Sequence, residues 1–342
     1  MSGRVFIAIW FPLLAIGSLL RAQDVVLVSP GKSGGQPLRK TGVITDYTGI
    51  ELRLSSAAGR EETIPTQRVV EIQTTWTPAH QSADALRLEG KLEEAAGAYK
   101  QAKRDEPRAW ARRKIMSELV SCYAEMGKWD IAGDEWLAIV SSDSTTQFYD
   151  VMPLAWRAFP PDAALETRAT AWMKGRQYSP ATILGASWLL ASGKRSEALV
   201  VLEGLASSTQ KNGDARIAAL AQIQTWRTKI VGVKLEEVQR WQSTVRQMPA
   251  EIQASGWYVV GEGFARLDQP EPAALAYLRV PLVHGSQRMM AADALVAAGK
   301  QLEKLARPQQ AADLYREVSA VYSLAPAADE ARSRLANLLE IK

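Results

Sequence analysis

The sequence is poor in the residues that most catalytic and metal chemistry needs. Among 342 residues there is one cysteine, and there are two histidines. Cys122 has no second thiol with which to close an internal disulfide, so the fold has to rest on its apolar core. Inside a predicted helix between Leu119 and Tyr123, it reads as a small semi-buried filler. His80, in a helix entry, and His284, in a loop, are far apart and lack a partner at metal-ligand spacing. They offer neither a zinc site nor a histidine-based triad, and both read as solvated. Carboxylates are plentiful, as at Glu93-Glu94 and Glu236-Glu237. Neighbours on a helix diverge by about 100°, so these are solvated faces and not acid/base pairs. PGKSGG at 30–35 imitates the end of a phosphate loop. It has Val26 where the required glycine belongs, and a strand rather than a helix follows. No catalytic, cofactor-binding or metal residue is assigned, and an enzyme is not expected.

Charge of one sign is also scarce. The net charge is +4, from 41 basic and 37 acidic side chains. Arg4 and Arg21 fall in the first 22 residues, leaving 39 against 37, or +2, for the remainder. No global field argues for nucleic acid. Long apolar runs are limited to one. Residues 1–22, MSGRVFIAIWFPLLAIGSLLRA, place Arg4 before an apolar core and small Ala22 before Gln23. This is the pattern of a secretory signal peptide. The run is short and holds Pro12, which favours cleavage over an uncleaved membrane anchor. The chain is expected to be exported, to a periplasm or cell envelope. No cysteine lies near the cleavage position to carry a lipid.

What the sequence does have is two kinds of periodicity. Residues 24–75 alternate β-branched and polar residues, with Gly42, Gly49 and Gly59 as punctuation. About five short strands are predicted, in a small all-β module of SH3-like or Sm-like type. From residue 78 apolar residues fall at helical spacings with alanines among them. Within this region GKLEEAAGAYKQA (90–102) recurs as GKWDIAGDEWLAI (127–139) and GKRSEALVVLEGL (193–205). Its second half recurs at 269–280 and 307–318. A small residue stands at Ala95, Ala132, Ala198, Ala273 and Ala311. Four residues on come Tyr99, Trp136, Leu202, Tyr277 and Tyr315.

This pattern resembles the tetratricopeptide repeat (TPR) family, a helix-turn-helix unit with small and aromatic positions at fixed offsets. Trp257, Val260, Gly261, Phe264, Ala273, Tyr277 and Val280 fill it in order. The resemblance covers 78–325. It implies a mainly α protein, a right-handed solenoid of about seven repeats, two of them eroded near 145–178 and 214–249. A capping helix is expected at 328–342.

In that family ligands lie against the first helix of each repeat. Carried over by register, this points to Ser117, Ser121 and Glu125, to Tyr258, Glu262 and Arg266, and to His80, Asp84 and Arg87 in the first copy. The Lys/Asn clamp that some members use for a C-terminal carboxylate has no counterpart here. A basic cluster, Lys103, Arg104, Arg112, Arg113 and Lys114, is a candidate docking patch for an acidic partner, or else a solvated turn. Trp129, Trp136, Trp188 and Trp257 match repeat core positions or their neighbours; Trp110, Trp226 and Trp241 are candidates for an exposed anchor. The expected function is an exported, non-enzymatic scaffold holding a protein or peptide in a concave groove. The alternatives are a substrate-presenting or assembly subunit of an envelope enzyme complex, and a self-associating envelope structural protein.

Overall fold

The computed structural model describes residues 23–31, 35–157, 159–175, 179–207, 214–284 and 287–340. The signal-peptide reading and the middle of the 30–35 loop lie outside them, as does the side chain of His284. The described residues form two compact units: 23–45 with 52–75, and 46–51 with 76–340.

The first unit carries one five-stranded sheet. Its strands are β1 (Asp24–Val28), β2 (Leu38–Tyr47), β3 (Glu51–Ser55), β4 (Glu61–Pro65) and β5 (Val69–Gln73), in the order β4-β3-β2-β1-β5. β1 is antiparallel to both β2 and β5. Alternate residues point inward, as a period of two demands: Val26, Val28, Ile44, Leu52, Leu54 and Ile64 are buried. Asp24 is buried among them, and its carboxylate accepts the backbone N–H of Ile44 at 2.8 Å. That bond offsets the cost of burying a charge.

The second unit is helical. In repeat register six pairs follow one another: α1 (Pro78–Leu88) with α2 (Leu92–Asp105), and α3 (Ala109–Glu125) with α4 (Trp129–Ser142). After α5 (Ala163–Lys174), which packs closely on the helix that follows it, come α6 (Ser179–Leu189) with α7 (Arg195–Ser207), and α8 (Ala215–Lys229) with α9 (Leu235–Val245), which packs mainly on the helix after it. The last are α10 (Gln253–Arg266) with α11 (Pro270–His284), and α12 (Arg288–Lys304) with α13 (Pro308–Val321). A final helix, α14 (Ala327–Glu340), packs on α12 and α13. Each helix packs mainly on its neighbours in sequence. This is the quasi-one-dimensional packing of a TPR-like α-solenoid.

The repeated small and aromatic residues explain the pairing. Ala95, Ala132, Ala198, Ala273 and Ala311 are fully buried, as are their aromatic or leucine partners four residues on. A Cβ placed on Gly261 would come within 2.6 Å of the Tyr277 ring, so glycine is what lets α10 and α11 approach. Each tyrosine ring is also tied back through its hydroxyl. Tyr99 donates to Asp84 at 2.6 Å, Tyr277 donates to Glu262 at 2.7 Å, and Tyr315 donates to Glu303.

One expectation about the repeats changes. The stretch 214–249 does contain a helix pair, α8 and α9, but 145–178 does not. It holds a helix-free run after α4 and then α5 alone. Pro153, Pro160 and Pro161 remove helix donors and push their preceding residues toward extended backbone.

Replacing Gly261 with alanine should destabilise the helical unit by about 2 kcal/mol through overpacking against Tyr277. Thermal or urea unfolding of Gly261→Ala measures it. An unchanged midpoint would mean that the ring yields without cost.

Candidate functional site

The helix-free run is a strap laid across the first helices of successive pairs. It is anchored at its start. Arg216 donates to the carbonyls of Thr145 and Thr146 at 3.0 and 2.7 Å, and its guanidinium stacks 3.9 Å from the Tyr149 ring centre. The Tyr149 hydroxyl donates to Asp214 at 2.7 Å, and Trp136 Nε1 donates to the Phe148 carbonyl at 2.9 Å. Beyond this point the main chain is held by side chains. Trp188 Nε1 donates to the Pro153 carbonyl at 2.9 Å. Ser187 Oγ accepts from Ala155 N at 2.9 Å, and Gln224 Nε2 donates to the Ala155 carbonyl at 3.2 Å. Arg227 Nη2 donates to the Arg157 carbonyl at 3.3 Å. The carbonyls of 153, 155 and 157 are alternate ones, and Leu154 N closes a tight turn on the Met152 carbonyl at 2.8 Å. Met152, Leu154 and Ala155 are buried in the main core. Arg157 then forms a two-point pair with Asp293 on α12, one bond of 2.9 Å joining Nε to Oδ2.

Strap and helices enclose a cavity of about 410 Å3, within the range of ligand sites. Its walls come from α3, α6, α8, α10 and α12, the first helices of five pairs, together with Arg87 of α1 and Trp129 of α4. These helices therefore share one face. The lining is mostly apolar. Trp129 lies 5.2 Å from Trp188 between ring centres, Phe159 lies 5.5 Å from Trp188, and Met289 and Met290 contribute from α12. The charged lining groups are engaged internally. Arg87 bridges Glu118 and Glu125 of α3 at 2.6 and 2.7 Å, and Arg157 holds Asp293. Arg288 donates to the Val321 carbonyl.

Of the residues singled out from sequence, the cavity brings together Arg87, Ser121, Glu125 and Tyr258. The others lie elsewhere. Ser117 is buried, its hydroxyl donating to the Lys114 carbonyl at 2.7 Å. Asp84 and Glu262 accept tyrosine hydroxyls, and Arg266 is exposed away from the lining. His80 is not solvated. It is buried, 4.2 Å from Trp76 between ring centres, with both ring nitrogens lacking a hydrogen bond. Burial holds its pKa below the usual histidine value.

The basic cluster is not a free patch. Arg113 is 4% exposed and binds Asp46 and the Tyr47 carbonyl, within the same unit. Lys103 pairs with Glu135 at 2.6 Å, Lys114 pairs with Glu118, and Arg104 donates to Gln101. Arg112 donates to the Glu106 and Pro107 carbonyls. Trp110, Trp226 and Trp241 are all buried, and the last two stack at 5.2 Å. The tryptophans that reach the cavity include Trp129 and Trp156. Cys122 donates its thiol to the Leu92 carbonyl, and burial pushes its pKa up to about 11, far from a reactive thiolate. Among the described residues no cluster of three potential ligands could hold a metal, and no helix is long and apolar enough to cross a membrane.

The strap, Trp129, Trp188 and Asp293 were not picked out from sequence as site residues. VMPLAWRAFPP (151–161) did carry a signal: apolar and aromatic residues with prolines and without helical period.

No family model matches the chain, and no curated protein does. Two solved structures show a distant likeness. One is a tetratricopeptide repeat protein from Parabacteroides merdae, 14% identical, covering 76% of this chain and 97% of its own, with a TM-score of 0.33. The other is the assembly chaperone of RpL4 (Acl4), 14% identical, covering 76% and 96%, with a TM-score of 0.28. At such scores the helical-repeat architecture rests on the chain's own geometry.

The Arg157–Asp293 pair has a defined pH dependence. Burial pushes Asp293 up to about 6 against the pull of Arg157, with Glu330 and Glu262 adding to the rise. A carboxyl with a raised folded pKa favours the fold while protonated, and this contribution is lost as pH rises through the folded value. Removing the half-exposed Arg157 leaves the buried carboxylate uncompensated once ionised. Arg157→Ala should therefore cost about 2 kcal/mol at pH 8 and much less at pH 5. Urea unfolding at the two pH values measures the difference; equal losses would contradict it.

Proposed function

We propose that this protein is an exported, non-enzymatic interaction scaffold whose helical unit takes apolar residues of a protein partner into the cavity beneath the strap. The observation that carries the reading is the lining itself: one shared face of five first helices, aromatic and methionine walls, and two charge pairs, Arg87 with Glu125 and Arg157 with Asp293, closed within the chain. A site of this make-up rewards burial of apolar side chains. No cluster of three potential metal ligands occurs among the described residues. Export rests on residues 1–22, and cleavage would leave Gln23 as the mature N-terminus. A cell-envelope location, with or without a retained anchor, is part of the same proposal. The small β module would serve a second contact.

Ala124, half-buried on α3, lines the cavity. A photo-crosslinking residue at position 159, in the full chain in its native envelope, should join one dominant protein. Ala124→Trp, which fills the cavity, should reduce that adduct at least tenfold without unfolding the protein. No adduct at 159, or an equal one from position 200 on α7, would overturn the reading.

A further inference from the structure

The strap shows how this face holds main chain. Each first helix it crosses supplies side-chain partners to its main chain: Ser187 and Trp188 from α6, Gln224 and Arg227 from α8. The next first helix, α10, presents Ser255 and Tyr258, one turn apart on one face. Both are buried, at 4% and 8% exposure, and both line the cavity. Neither hydroxyl makes a hydrogen bond with any described residue, in contrast to Tyr99, Tyr277 and Tyr315, whose hydroxyls all do. The enclosed, unpartnered polar atoms of the described residues belong to His80, Tyr123 and Gln301. The Ser255 and Tyr258 oxygens instead reach the open space of the cavity, in the same lining as Trp129, Trp188 and Phe159, where they are available to a ligand.

We infer that α10 continues the row begun by α6 and α8, and that Ser255 and Tyr258 bind the main chain of an extended, uncharged, apolar segment of the partner protein. The inference rests on the scaffold reading and makes it specific. The occupant is drawn as extended because the same face already takes the alternate carbonyls of 153, 155 and 157 on its side chains. It is drawn as uncharged because Arg87, Glu125, Arg157 and Asp293 form two closed pairs and Arg288 is held on the Val321 carbonyl. Its carbonyls accept from the two hydroxyls, while its side chains fill the aromatic and methionine walls. The strap remains in place. Its buried Met152 and Leu154, and the high effective concentration of a tethered segment, favour it over any free competitor.

The test uses the full chain and a labelled hexapeptide, VMPLAW, acetylated and amidated, which copies the one sequence this face is seen to hold. The uncharged dye N-phenyl-1-naphthylamine serves as a small apolar probe. The double variant Ser255→Ala/Tyr258→Phe keeps the shapes and removes both hydroxyls, and thermal unfolding verifies its fold. The expected result is peptide binding that weakens about tenfold in the double variant, with dye binding unchanged. Dye binding without peptide binding would overturn the inference in favour of a small-molecule site. So would peptide binding equal in both proteins. If the double variant has no effect while Ala124→Trp still abolishes the envelope adduct, the scaffold reading stands and this inference fails. If both variants leave partner and peptide untouched, both fail.

Discussion

A segment with neither helix nor strand, laid against helices, leaves most of its carbonyls without a backbone partner, so they must find other donors or the segment will not stay buried. Residues 148–157 meet that constraint through side chains. Trp136, Trp188, Gln224 and Arg227 donate to carbonyls, and Ser187 accepts from Ala155 N. The cavity, the pairing of Arg157 with Asp293 and the fate of the concave face all follow from it. Without the strap the face would be an open groove. With it, the part over α6 and α8 is occupied by the chain itself, and the space lined by Trp129, Tyr258 and Met290 stays open.

The solenoid supplies this face by simple means. Small residues at the helix crossings, with an aromatic ring or Leu202 four positions on, let each pair close tightly. Most of those rings are anchored by a carboxylate on the preceding helix. Because neighbours pack mainly on neighbours, the first helices line up, and side chains on successive first helices can act on one extended chain. The buried ion pairs have a different role. Arg87 with Glu118 and Glu125, and Arg157 with Asp293, close most of the cavity's charged groups on one another, which leaves a mainly apolar lining.

The helical repeats were legible because their signal is local and periodic. Ala95 and Tyr99, Ala132 and Trp136, Ala273 and Tyr277 are each four residues apart, and Gly261 sits where contact with Tyr277 requires it. The β module was legible for the same reason, through alternation at Ile44, Leu52 and Leu54. The site was legible only in part. Register on the first helices found Ser121, Glu125 and Tyr258, yet gave no hint that Ser117 turns inward or that Glu262 is held by Tyr277. The strap was hidden because a segment with no period and several prolines looks like a degraded repeat; its partners lie as far away as Asp293. The basic cluster misled for a related reason. Arg113 and Lys103 are neutralised by Asp46 and Glu135, and nothing local in sequence announces such pairings. His80 was misplaced because a helix entry is usually wet, whereas this one is covered by Trp76.

Amide hydrogen exchange across residues 148–157 of the full chain tests the central claim most directly. The strap has no helix or strand of its own, so a loose loop there would exchange at the rate of an unstructured peptide. If it is held as described, the Ala155 amide, bonded to Ser187 Oγ, should be protected to a degree comparable with α6 and α8 and lose protection with them. Fast exchange at Ala155 with protected helices on either side would contradict the account.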